Sequence, residues 1–99
     1  MNIQKNLEGE KMTVILDGEL NTLTAPKLQS ALQDDLDQIT ELTIDLSAVR
    51  YISSAGLRVI LEAEQELEDR GGGVTVRGAR EEVREVFEVT GFDEMIHLE

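Results

Sequence analysis

The sequence has no cysteine and no tryptophan, one proline, and only three aromatic residues: Tyr51, Phe87 and Phe92. Without cysteine there is no disulfide framework, thiolate metal site or thiol nucleophile. With so few aromatics, the core has to be built from Leu, Ile, Val and Ala. No run approaches the ~20 apolar residues that a bilayer span requires. The opening residues lack the apolar stretch of a secretory signal. Positive charge is scarce as well: nine Lys and Arg stand against twenty-one Asp and Glu, a formal net charge of −12. That field repels phosphate backbones and anionic lipid, so nucleic acid and membrane surfaces are not expected as partners. A partner with a basic docking face is favoured instead. Together these features predict a soluble, cytoplasmic chain.

Ninety-nine residues with a 40% apolar share suit a single compact domain, residues 1–99, around one hydrophobic core. Residues 2–8 form a weak strand candidate, with Ile3 and Leu7 apolar. Lys11 to Asp17 is stronger, with Met12, Val14 and Leu16 alternating, and Gly9 between the two predicts an antiparallel hairpin. Thr24-Ala25-Pro26 reads as a helix start, with Thr24 as cap and Pro26 in the first turn. Leu28, Ala31, Leu32 and Leu36 follow at helical spacing.

Glu41 to Leu46 is a second strand. After Ser53-Ser54 a helix runs from about Ala55 to Arg70, with Leu57, Ile60, Leu61 and Leu67 inward and Glu62, Glu64, Glu66, Glu68 and Asp69 outward. The glycines Gly71, Gly72 and Gly73 end it, and Val74-Thr75-Val76 is a short strand. Arg80 to Val89 is a third helix with Gly91 placed to end it, and Met95 to Leu98 adds a last strand. The order β-β-α-β-α-β-α-β predicts an α/β fold: a mixed, mostly parallel sheet with an N-terminal hairpin and helices packed on it.

Catalysis has little support. His97 is the only histidine and lies in the last strand, where a structural role outweighs that of a base. No Gly-x-Ser-x-Gly elbow surrounds Ser54, since Ile52 occupies the first glycine's place. No His/Cys cluster suits zinc and no acidic loop resembles an EF-hand. A receiver-like role for Asp45 lacks the lysine that should follow the last strand. Neither an enzyme nor a cofactor is expected. The triple glycine follows a helix and precedes a strand, the wrong polarity for a phosphate cradle.

The stretch from Asp45 to Leu57 does have strand-to-helix polarity, with two serines opening the helix. Either Ser53 or Ser54 suits the N-cap, which requires no further function. The same place suits a regulatory phosphoserine, because a phosphate there faces the positive end of the helix dipole, with Arg58 one turn on.

Asp45-Leu46-Ser47, then Tyr51-Ile52 and Ser53-Ser54-Ala55-Gly56-Leu57, resemble the signature of the STAS domain, and more closely that of bacterial anti-sigma factor antagonists. The likeness extends over the whole chain and includes the turn Gly18-Glu19-Leu20. It implies a switch in which the unphosphorylated protein binds an anti-sigma factor, commonly an ATP-dependent serine kinase, and so frees the sigma factor. A PP2C-type phosphatase reverses the phosphorylation. The resemblance places the acceptor at Ser54, two residues before Gly56, with Ser53 as the alternative because many members carry Asp there. It implies a docking patch of Thr22, Thr24, Ser53, Ser54, Ala55, Gly56 and Arg58. For Gly56, tight helix-to-sheet packing is an equal expectation. The competing implication is a STAS adaptor or scaffold that is never phosphorylated, in a transporter or signalling complex.

Overall fold

A computed structural model describes residues 1–99. The weakly patterned opening residues form a full strand, β1 (Asn2–Glu8), because β2 (Lys11–Leu20) offers them a complete edge. Gly9, at φ 61°, makes the turn. The register runs unbroken from Asn2 opposite Asp17 to Glu8 opposite Lys11. There follow α1 (Ala25–Gln33), β3 (Glu41–Ile52), α2 (Ser54–Glu68), β4 (Gly73–Arg77), α3 (Glu81–Thr90) and β5 (His97–Leu98). The sheet order is β1-β2-β3-β4-β5, with only β1 antiparallel to its neighbour. This is the mixed α/β architecture that the alternation of elements predicts.

Each parallel strand lies beside its predecessor on the same side, so right-handed crossovers bring all three helices over one face. The strands record this. Met12, Val14 and Leu16 on β2, Leu42, Ile44 and Leu46 on β3, and Val74 and Val76 on β4 are buried. Thr13, Thr43 and Thr75 between them are half-buried, and Ile15 and Arg77 are exposed. Leu28 and Leu32 of α1, Leu57, Ile60 and Leu67 of α2, and Val83 and Phe87 of α3 complete one 24-residue cluster. Phe87 is its only aromatic member, as the composition requires.

Several local expectations are corrected. Thr24 precedes α1 but its hydroxyl does not cap the helix. It donates to the Glu19 carbonyl (2.7 Å) and accepts from the Asn21 N–H (2.8 Å), while the Asn21 side chain accepts from the N–H groups of Leu23 and Thr24. Leu36 leaves the helix for a 3₁₀ turn, Leu36–Gln38, and a second such turn, Phe92–Glu94, leaves β5 only two residues. On α2, Leu61 is half-buried and Glu64 lies inside, 9% exposed, accepting the Val74 N–H at the start of β4. The glycines do more than end a helix: Gly71 takes φ 83°, and a side chain at Gly72 would collide with the Thr40 carbonyl.

Candidate functional site

The candidate site lies where β3 feeds α2, and its geometry comes from irregularities in β3. The strand expected to end at Leu46 continues to Ile52. Ile15 pairs with Asp45 but Asp17 with Ala48, and Gly18 pairs with Val49 but Leu20 with Ile52. Each step inserts one extra residue in β3, a pair of β-bulges. The inward residues therefore change spacing, from every second (Leu42, Ile44, Leu46) to every third (Leu46, Val49, Ile52). Strict alternation is lost, which is why the pattern after Leu46 does not read as strand in the sequence.

Polar contacts fix the first bulge. One Asp45 oxygen accepts from both the N–H (2.9 Å) and the hydroxyl (2.6 Å) of Ser47, and the other pairs with Arg77 at 3.2 Å. Arg80 donates to the Ser47 carbonyl at 3.1 Å. The Ser47 hydroxyl, then its N–H, hold the Asp45 carboxyl below its usual range. Arg77 assists and partial burial opposes.

The strand end is tied to the sheet by the Ser53 N–H, which donates to the Leu20 carbonyl at 2.8 Å. Ser53 is extended (φ −95°, ψ 172°) and its hydroxyl accepts from the Gly56 N–H at 3.3 Å, so Ser53 is the N-cap of α2. Ser54 is the first helical residue and is exposed. Of the two adjacent serines, one hydroxyl is committed to the helix start and the other faces solvent. Gly56 is buried, and a Cβ there would come within 2.6 Å of the Leu20 side chain. It lets α2 press onto the end of β2.

Thr22, Ser54, Ala55 and Arg58 line one shallow groove with Pro26 and Glu62, between the start of α1 and the first turns of α2. Thr24, Ser53 and Gly56 are adjacent in the chain, but their polar or backbone groups serve the turn, the cap and the packing. No acidic residue occupies the first turn of α2. Sequence reasoning missed Leu23, 83% exposed beside Thr22. An apolar side chain in a turn has no periodic partner to mark it as core, and that lack of pattern is the signal available in the sequence. No helix is long and apolar enough to cross a membrane.

A family model described as "Mlab, STAS domain" matches residues 3–98. The anti-sigma-B factor antagonist of Listeria monocytogenes is 32% identical over 99% of this chain and 90% of its own length. Among solved structures, an anti-sigma factor antagonist from Mycobacterium paratuberculosis superposes with a TM-score of 0.86 at 29% identity, covering 98% of this chain and 83% of that one. The antagonist SpoIIAA shares the fold at 19% identity: its unphosphorylated form gives a TM-score of 0.87 over 99% of this chain and 88% of its own. Matched by that model over nearly its whole length, the chain belongs to the STAS domain family.

Proposed function

We propose that this chain is an anti-sigma factor antagonist that works as a phosphorylation-controlled switch, with Ser54 as acceptor. The observation that carries the reading is the division of labour between the serines: Ser53 caps α2, and Ser54 stands exposed one residue on. A kinase acting on Ser54 meets a free side chain, whereas acting on Ser53 requires breaking the cap. The relatives' names support the antagonist role, and SpoIIAA is a protein whose structure has been solved in phosphorylated form. In its unphosphorylated form the chain binds an anti-sigma factor with ATP-dependent serine kinase activity, and a PP2C-type phosphatase restores that form.

Docking centres on the groove between α1 and α2, with Thr22, Ser54, Ala55 and Arg58 in contact, Leu23 beside it, and Thr24, Ser53 and Gly56 shaping it. A phosphate at a helix N-terminus gains about 0.3–1 kcal/mol from the dipole, so the fold is retained. The same charge of roughly −1.5 to −2 inside an interface costs several kcal/mol when it stays unpaired or meets like charge, and each 1.4 kcal/mol is about tenfold in affinity. The mechanism is therefore occlusion of the docking surface.

The test is co-expression with the anti-sigma kinase of the same genome and mass-spectrometric localisation of phosphate. Ser54→Ala should bind without being modified, and Ser54→Asp should bind poorly. Phosphate incorporation that survives Ser54→Ala but is abolished by Ser53→Ala would overturn the assignment. Binding with no phosphate on either serine would favour the adaptor role.

A further inference from the structure

The end of the sheet opposite Ser54, where β3, β4 and β5 begin, carries a hollow of about 330 Å³. Its lining includes the first residues of those strands, the glycines Gly71, Gly72 and Gly73, and Glu64 of α2. Glu64 is the one charged side chain among the buried residues, 9% exposed. Its Oε2 accepts the Val74 N–H, whereas Oε1 accepts from no group of the protein. No fully buried polar side-chain atom is left without a partner, so Oε1 is reached from outside, through the hollow that Glu64 lines.

The glycines keep that path open. A Cβ on Gly73 would lie 3.3 and 3.4 Å from the two Glu64 oxygens, and one on Gly71 would meet nothing within 4 Å. The ionisable groups of the lining are Glu41, Glu64 and His97, with no Lys or Arg among them. Lys11 lies 4.0 Å from Glu41, and Arg70, next to Gly71 in the chain, donates to the carbonyls of Leu36 and Ile39. Neither pairs with Glu64. A cation is therefore the ligand class that the hollow suits, and the field of a chain at −12 favours its approach.

The single free oxygen narrows the class. A guanidinium grips a carboxylate through a two-pronged fork, and Oε2 is already taken. Calcium takes about six to eight oxygen ligands, and no three acidic or histidine side chains converge here. A primary ammonium is instead a point charge, and an alkyl stem behind it can lie on the apolar part of the lining, where Met95 is 53% exposed. We propose that the hollow binds a primary ammonium group carried on an alkyl chain, a small free amine or the side chain of a lysine, with Glu64 Oε1 as its anchor. The site is separate from Ser54 and does not depend on the switch.

The test is an NMR titration of the isotope-labelled whole protein at low salt with butylammonium, Nα-acetyl-lysine methylamide, guanidinium and uncharged butanol. At least one ammonium compound should give saturable shifts confined to the amides of Gly71, Gly72, Gly73, Val74, Thr75 and His97. Guanidinium should bind about tenfold more weakly or less, and butanol should leave these amides unmoved. Saturation by butylammonium alone assigns the site to small free amines; saturation by the lysine derivative extends it to a lysine of another protein.

Two variants locate the anchor. Glu64→Gln keeps an acceptor for the Val74 N–H but removes the charge. Gly73→Ala leaves Glu64 in place and sets a methyl against its carboxylate, at a position whose φ is not in the left-handed region. Each should weaken ammonium binding by about tenfold or more, with melting curves to show that the variant is folded. If Glu64→Gln fails to fold, Gly73→Ala decides. No saturable shifts with either ammonium compound, equal binding of guanidinium, or binding undiminished in a folded variant would each overturn the proposal.

Discussion

Ser53 and Ser54 are chemically identical and adjacent, yet they occupy different positions on the helix. An N-cap oxygen accepts an otherwise unpaired backbone N–H, whereas the first helical residue projects its side chain into water. Ser53→Ala should therefore lower stability by about 0.5–2 kcal/mol in urea unfolding, while Ser54→Ala should leave it within about 0.5 kcal/mol. Equal losses would mean that the cap is shared. Glu64 is a second case in which residue type misleads. It belongs to a run of acids that reads as a solvated face, but its carboxylate holds the Val74 N–H under the edge of β4. Glu64→Ala leaves that donor unpaired and should cost about 1–3 kcal/mol; Glu64→Gln, which keeps an acceptor, should recover most of the loss.

At the scale of elements, the two bulges of β3 deliver Ser53 to the Leu20 carbonyl and so set where α2 begins. Asp45 clamps the first bulge through Ser47, and its carboxyl is held below the usual value near 3.8. A group whose pKa is lowered on folding contributes stability that is present above its unfolded pKa and is lost as pH falls through the folded one. The contribution of Asp45 should thus be constant at neutral pH and disappear on acidification below about 4. Asp45→Asn should flatten that part of the acid-unfolding curve without shifting behaviour at pH 7 relative to pH 6. An unchanged acid limb would assign the acid lability to other carboxylates.

Periodicity made the regular elements legible. Every helix and strand appears where alternation or helical spacing indicates, including the weak strand of residues 2–8. The continuation of β3 from Ser47 to Ile52 was not legible, because a bulge changes the repeat from two residues to three and the pattern then matches neither template. The Thr24 cap failed for a related reason. The Glu19 carbonyl and the Asn21 N–H engage the Thr24 hydroxyl, the Lys27 N–H goes to the Thr24 carbonyl instead, and sequence order does not rank these partners.

For the molecule as a whole, the excess of acids carries a cost. Twenty-one acids against nine cations leave a net charge of −12 that repels itself in the folded state, and dissolved salt screens that repulsion. Raising NaCl from low to physiological concentration should therefore raise the melting temperature; for a domain of this size each kcal/mol corresponds to about 4–8 °C. Charge reversals at Glu68 and Glu88 should reduce the salt dependence. A melting temperature that falls with salt would show that the ion pairs outweigh the repulsion.

The sequence by itself determined the aliphatic core, the order of elements, the serine pair at a helix start and the total charge, because each follows from local residue type and spacing. Only the tertiary structure decided which serine is exposed, that Gly56 is a packing position against Leu20, and that Glu64 is buried. Those outcomes depend on contacts between residues distant in the chain and on the common polarity of strands and helices in a parallel sheet, which no window along the sequence contains.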